Sequence, residues 1–567
     1  MKYTKPLLSI LLSGVALQPS HTHCMDAVSN FTSEHPTLVK ALLGTVAAAA
    51  LCTAGHYALN KMQFNKLHWD WKNINPLIIG NKPVQAVFKE HAKKLAELEE
   101  PKRSVAQNQW LWGTATAAHQ VEGHHTNSQW CLFEGEPDEN GTLKEPKALP
   151  DGRRALLSSG VIEPFGIGCD SFKHLDGDIQ RMKDLGVNTY RFSVEWSEVI
   201  PEQGKINYSK LAQYKQMCQK LTAHGIKPVI TLYHYSEPIW FFNLGGFEHK
   251  KNINHFVDFC KVVFKELHED VHLWFTFNAP EGISAEGWLK AMKPPAKENM
   301  DLMVKALYNV LEAHVAVYQA LKELPGGQQS KIGILKNIYQ LDPYDAANPL
   351  DHIGAYFGTD LVDESIYRFF TTGQFYVNVP RGIKTTKIMG VPVPTGIKYP
   401  IETQTNEYLK NGGKCLDFIG LNHYCHGYIK KFKPVKETNN DIEPQIPSHD
   451  RYTIYGEGLY RAIKTLSEKL GQRFNIPIYV TENGIGTEDD ELRTLQSKRY
   501  LYALARAIND GYDVRGYIYW SLLDNYEWGK YKKYYGLYHV DRSTPDLTRT
   551  KKRGAAYFES VIKGSQI

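Results

Sequence analysis

The eight cysteines of this chain (Cys24, Cys52, Cys131, Cys169, Cys218, Cys260, Cys415 and Cys425) form no C-x-x-C pair, and no histidine cluster stands at metal-ligand spacing. No structural zinc, no dense disulfide framework and no cofactor is therefore expected. Whether any two cysteines are oxidised depends on proximity in space, which spacing does not give. Charge of one sign is also scarce. Lys and Arg number 66 against 61 Asp and Glu, a net +5 over 567 residues. No basic stripe interleaves with aromatics, which argues against a nucleic-acid partner. Apolar runs of bilayer length are missing too. The run 41–54 falls short of the roughly 20 residues that span a hydrocarbon core, even though apolar-leaning neighbours extend it to 37–59. That segment reads as a membrane-associated helix, a mature N-terminal helix or a leader. Residues 1–22, with Lys2 and Lys5 ahead of the run 7–17, have the form of a signal segment with a poor cleavage region. Export or membrane anchoring through these segments is favoured over a cytoplasmic location. Residues 60–107 read as a linker or N-terminal extension carrying a charged helical patch at 88–100.

What the chain does contain is a globular composition, with 42% hydrophobic and 12% aromatic residues, 33 of them Tyr and 11 Trp. From 108 to 564 eight short β-rich runs alternate with longer helix-period stretches: 110–116, 188–194, 228–234, 273–278, 331–338, 418–424, 477–483 and 514–523. That alternation predicts a parallel sheet wrapped by helices, and eight strands close an α/β (β/α)₈ TIM barrel. Leu211, Tyr214, Cys218 and Leu221 share one helix face before Gly225. Ile463, Leu466 and Leu470 do so before Gly471, and each glycine is expected just past a helix end, where φ > 0 is easiest without a Cβ.

Active sites of such barrels gather at the C-terminal ends of the strands. Polar groups recur there: Gln120 and Glu122 after the first run, His234, Asn278, Tyr424, then Glu482 and Asn483. Asp524, Asn525, Glu527 and Trp528 follow the eighth. Any one of these is more often a solvated loop cap, but agreement at six strand ends is not expected by chance.

The motifs at those ends form an ordered set. They read W-L-W-G-T-A-T-A-A-H-Q-V-E-G from Trp110, Y-R-F-S-V-E-W from Tyr190, T-L-Y-H from Thr231 and F-I-G-L-N-H-Y from Phe418. Y-V-T-E-N-G follows from Tyr479 and W-S-L-L-D-N-Y-E-W from Trp520. In this the sequence resembles glycoside hydrolase family 1, the β-glucosidase family, over nearly all of 108–564. The resemblance implies a β-linked sugar or glycoside as substrate and Glu482 as the nucleophile that forms a covalent glycosyl-enzyme. It further implies that Arg191 keeps that carboxylate charged and that Tyr424 orients it by a hydrogen bond. Gln120, His234, Asn278, Glu527 and Trp528 would bind the ring hydroxyls, with Trp520 stacking on the apolar ring face. An acid at position 527 implies an unphosphorylated sugar, because a carboxylate facing a phosphate is costly at low dielectric.

The chain departs from the family at the fourth run. The family pattern T-F-N-E-P, whose Glu is the general acid and base, reads T-F-N-A-P here, with Ala279 at the acid/base position. Alanine cannot transfer a proton. Three readings follow. Another carboxylate could take over, with Glu281, Glu286 and Glu237 as candidates and Glu281 nearest the motif. The enzyme could be a transglycosidase or act on activated glycosides. Or the protein could be a non-catalytic glycan-binding pseudoenzyme, against which the complete nucleophile motif weighs. Aglycone identity, glycone choice and oligomeric state are not legible, and the stretch 346–400 differs in length from common family members.

Overall fold

The structure is a computed structural model. It describes residues 67–566 apart from residue 68 and the stretches 99–108, 138–142, 145, 147–154, 346–347, 379–386, 389–390, 393–400, 425, 431–432 and 436–453. The apolar runs 7–17 and 41–54 lie outside the described residues, among which no helix is long and apolar enough to cross a membrane.

Eight parallel strands close a barrel: β1 (Leu111–Ala115), β2 (Thr189–Ser193), β3 (Lys227–Tyr233), β4 (Leu273–Asn278), β5 (Lys331–Asn337), β6 (Phe418–Asn422), β7 (Ile478–Glu482) and β8 (Val514–Trp520), with β8 paired back onto β1. Each lies within the run expected for it or within a residue of it. These strands are buried on both faces, as parallel strands under a shell of helices must be, so they read as continuous apolar stretches. The base of the barrel interior is packed by Leu111, Val229, Phe275, Leu335, Phe418 and Tyr479. Gly420 makes that layer possible, since a Cβ there would come within 2.6 Å of Leu335 and 2.8 Å of Phe275. Arg191 lies 5.8 Å above the Phe275 ring, where the apolar layer gives way to polar groups.

Two strands that carry site residues are irregular at their C-terminal ends. Along β7, Val480 pairs with Leu421 but Glu482 pairs with Asn422, so β7 has one extra residue at that point. Along β4, Phe275 pairs with Gly333 and Asn278 with Leu335, again one residue extra. A bulge re-aims the side chains beyond it, and here those are Glu482 and Asn278.

The helix Tyr208–Ala223 buries the expected face of Leu211, Tyr214, Cys218 and Leu221. It ends in a Schellman arrangement: Gly225 has φ +75°, its N–H bonds Thr222 O, and Ile226 N–H bonds Leu221 O. Gly471 departs from expectation. Its φ is −55°, the helix continues through Gln472–Phe474, and the left-handed residue is Asn475 at φ 51°. Asn is the non-glycine residue that best tolerates that region, so the chain turns at the later position. The charged patch expected at 88–100 is a helix at Val84–Ala96. Its Phe88 is fully buried against Trp112 (ring centroids 4.9 Å apart) and Trp110 (5.5 Å), which binds this segment to the outside of β1. The stretch 346–400 contains helices Pro349–Thr359 and Ser365–Thr372. Among the described cysteines, Cys131, Cys169, Cys218, Cys260 and Cys415 are free thiols.

Candidate active site

A cavity of 340 Å³ opens at the C-terminal end of the barrel, and its lining includes Glu482, Tyr424, Asn278, His234, Trp520, Glu527, Trp528 and Ala279. Glu482 ends β7 and is held at both oxygens. Arg191 Nη1 donates to Oε1 at 2.6 Å and Tyr424 Oη donates to Oε2 at 2.8 Å. Burial and the facing Glu482 charge push the Tyr424 phenol well above its usual pKa, so it stays a donor. Arg191 is fully buried on β2. Its other nitrogens are also engaged, Nε with Thr231 Oγ1 at 2.9 Å and Nη2 with Asn278 Oδ1 at 2.9 Å. A guanidinium fixed by three strands cannot swing away from the carboxylate it pairs with.

Asn278 Oδ1 also accepts from Asn422 Nδ2 at 2.9 Å, so its carbonyl is committed to Arg191 and Asn422. Its amide nitrogen then faces His234 Nε2 at 3.1 Å. Arg191 Nη2, a donor only, points at His234 Nδ1 at 3.4 Å. Burial and Arg191 hold the imidazole well below its usual pKa, hence neutral. Asn422 accepts in turn from Thr481 Oγ1 at 2.8 Å.

A second polar cluster forms after β1 and β8. Gln120 Nε2 donates to Glu527 Oε2 at 2.9 Å and to Asn525 Oδ1 at 3.1 Å, while Trp520 Nε1 lies 3.3 Å from Glu527 Oε2. Gln120 Oε1 is buried without a partner. Burial pushes the Glu527 carboxyl up to about 7 against the opposing pull of Trp520, Gln120 and Lys293. Lys293 Nζ lies 3.3 Å from the Tyr235 ring centroid and 4.5 Å from that of Trp528, and pairs with Glu286 at 2.8 Å. Both Lys293 and Glu286 line the cavity.

The acids proposed as stand-ins are thus separated. Glu286 is on the cavity wall, but Glu281 and Glu237 are not among the lining residues. Glu281 is turned under β5, where it accepts from Asn337 N–H at 2.7 Å and lies 3.4 Å from Lys336 Nζ, and burial pushes it up to about 7. Glu237 accepts from Tyr233 Oη at 3.0 Å, and burial pushes it up to about 8. Sequence reading overlooked Lys293 and the bracing role of Asn422. Asn422 was visible inside the F-I-G-L-N-H-Y motif, whereas Lys293 lies in an irregular segment with no motif to mark it.

Residues 103–567 match the sequence model of glycosyl hydrolase family 1. The chain belongs to that family. Among family 1 relatives, β-glucosidase A of Acetivibrio thermocellus is 29% identical over 473 residues, covering 80% of this chain and 98% of its own. β-Glucosidase A of Thermotoga maritima is 27% identical over 475 residues, covering 80% and 97%. The solved β-glycosidase from Pyrococcus horikoshii superposes with a TM-score of 0.62 at 28% identity, over 81% of this chain and 95% of that one. The protein is accordingly a β-glucosidase-like glycoside hydrolase of family 1, built on a (β/α)₈ barrel.

Proposed function

We propose that the protein is a retaining β-glycosidase that works through a covalent intermediate on Glu482, and that its general acid/base is missing because position 279 is alanine. The observation that carries this reading is the clamp on Glu482, with Arg191 at 2.6 Å and Tyr424 at 2.8 Å in a cavity that Ala279 also lines. A pocket that only binds sugar has no need of a buried guanidinium holding a carboxylate for attack, which weighs against a glycan-binding pseudoenzyme.

In the first half-reaction a Glu482 oxygen bonds to the anomeric carbon as the glycosidic C–O bond breaks, and the leaving oxygen takes the electron pair. In the second, water displaces Glu482 and gives up a proton. A positioned acid/base speeds such steps by about 10²–10⁴-fold, and an alanine supplies neither proton transfer. Substrates whose aglycone departs as a stable anion need no acid in the first step. The reading therefore favours activated glycosides, or transfer to a sugar acceptor. Asn278 and His234 would hold the ring hydroxyls near the anomeric carbon, and Gln120 Oε1 and Glu527 those farther away. Trp520 and Trp528 would supply apolar faces. A carboxylate at Glu527 favours an unphosphorylated sugar.

A second reading rests on Glu286, which lines the cavity where Glu281 and Glu237 do not. Its 2.8 Å pair with Lys293 suits a base for the second half-reaction, because an ionised carboxylate has no proton to give in the first. Export or membrane association through 1–22 and 37–59 remains part of the proposal.

The test is incubation with an aryl 2-deoxy-2-fluoro-β-glucoside followed by intact-mass and peptide analysis. A single added fluoroglycosyl group on Glu482 is expected, and an unchanged mass would sink the covalent reading. Azide should then raise turnover of activated aryl glycosides, because it is an anionic nucleophile that needs no base: it displaces Glu482 from the anomeric carbon directly and leaves as the glycosyl azide. Efficient cleavage of a plain disaccharide without azide would show that another acid serves.

A further inference from the structure

Behind the sugar-binding turn lies a buried cluster that the reaction does not use. His119 and His125 come from the segment after β1, and Glu195 stands two residues past β2. Each offers one ligand atom within 4.8 Å of the other two. The residues are 1%, 7% and 1% exposed. On these same side chains His119 Nε2, His125 Nδ1 and Glu195 Oε2 are all buried without a hydrogen-bond partner. Three orphaned polar atoms in one place are rare in folded proteins, where buried polar groups are nearly always paired.

The remaining polar atoms of the three side chains are engaged. His119 Nδ1 lies 3.4 Å from Ser128 Oγ, and His125 Nε2 lies 3.2 Å from Glu122 Oε2. Glu195 Oε1 accepts from the hydroxyls of Ser197 and Ser236, each at 2.7 Å. An imidazole that donates its outer N–H to a carboxylate or hydroxyl presents a lone pair on its inner nitrogen, which is how metal-binding histidines are held.

We propose that His119, His125 and Glu195 form a binding site for one divalent zinc-like cation that ties the segments after β1 and β2 together behind Gln120. Two imidazole nitrogens and one carboxylate oxygen suit zinc and its neighbours, with a fourth position left for water. Charge agrees. Glu122, Glu195 and Glu198 face the cluster, with the ammonium of Lys210 2.8 Å from Glu122, so carboxylates outnumber the ammonium there. Burial holds His119 well below its usual pKa, so its lone pair is free. The second imidazole ligand would be His125 Nδ1. That nitrogen is 3.8 Å from Glu195 Oε2, and tetrahedral zinc ligands stand about 3.4 Å apart, so only a small contraction is needed there. Spacing rules miss such a site because its ligands come from two separate strand exits.

The test uses the full chain without a polyhistidine tag, purified without chelator. Elemental analysis should find one equivalent of a zinc-like metal per chain, lost in His125→Gln and in Glu195→Gln. Wild type stripped with dipicolinate should regain a Tm higher by several degrees on adding zinc, and the variants should not. Should a variant fail to fold, cobalt(II) added to stripped wild type decides the matter: an intense visible band of nitrogen-ligated cobalt supports the site, and the weak spectrum of the hydrated ion overturns it. Substoichiometric metal with no thermal response to zinc also overturns it and leaves the cluster to a trapped water. Metal retained by both variants overturns it as well, because the ion then lies elsewhere.

Discussion

The substitution Ala279→Glu adds a carboxyl to the wall of the 340 Å³ cavity. Ala279 already holds φ 48° with a Cβ in place, so the exchange asks for no new backbone conformation. On the side of Gly282 the neighbour is Tyr235, whose Oη would lie 2.5 Å from a Cβ on that glycine, with Ala279 Cβ at 3.4 Å, so the new side chain must extend into the cavity instead. In a retaining enzyme the two carboxyls stand about 5–5.5 Å apart. At an effective dielectric of about 20 the Glu482 anion then disfavours ionisation of the new group by roughly 3 kcal/mol, about two pKa units above an ordinary glutamate. The introduced carboxyl would thus carry its proton up to about pH 6.5 and could serve as the acid, then as the base. Hydrolysis of a β-linked disaccharide should rise by about 10²–10⁴-fold, a barrier lower by about 2.7–5.5 kcal/mol. The variant should also gain an alkaline limb in its pH–rate profile near the same pH, and azide should lose its effect. Initial rates on the disaccharide and on an aryl glycoside, across pH, check this. A disaccharide rate that does not move while the 2-fluoro trap still labels Glu482 at its wild-type rate would refute the assignment of position 279.

Glu482→Gln should abolish labelling by the trap and lower turnover of aryl glycosides by at least about 10³-fold, read by intact mass and steady-state rates. For Glu527, whose pKa is raised from 4.5 to about 7, the folded state holds a proton that the unfolded chain has released. Its contribution to stability should therefore fall as pH rises from about 4.5 to about 7. Over the upper part of that window KM should fall as the ionised carboxylate becomes available to sugar hydroxyls, and Glu527→Gln should flatten both trends in denaturation and rate measurements. Phe88→Ala empties a site packed between Trp110 and Trp112 and should cost about 3–5 kcal/mol in urea unfolding, without changing the trap stoichiometry. Glu286→Gln should slow aryl-glycoside turnover and make it responsive to azide only if Glu286 is the base, so an unchanged rate removes that second reading.

The eight strands were legible because both of their faces are buried. A continuous apolar run bounded by turn residues then leaves few alternatives, and 273–278 matches Leu273–Asn278 residue for residue. Helix ends were less so. Gly225 closes its helix as expected, but at Gly471 the chain continues to Asn475, because a glycine only permits a left-handed turn and neighbouring contacts choose where it occurs. Arg191, Tyr424 and Glu482 were named from strand-end motifs, and they meet because consecutive barrel strands bring those ends to one rim. Lys293 gave no signal, since its position depends on how the segment after β4 folds back over Tyr235 and Trp528.

The order of residues along this chain was enough to specify a parallel barrel, the strand exits where polar groups gather, and an alanine at position 279, which we propose stands where the acid/base would be. Those features follow from local periodicity and from residue identity at fixed offsets, both of which survive without coordinates. Folding alone distinguished the carboxylates that follow β3 and β4. Glu281 turns to Lys336 under β5, Glu237 to Tyr233, and Glu286 to the cavity, because the direction of a loop side chain is set by the elements packed against it. The same holds for His119, His125 and Glu195, which nothing in the sequence groups and which become a cluster only when two strand exits meet in the barrel wall.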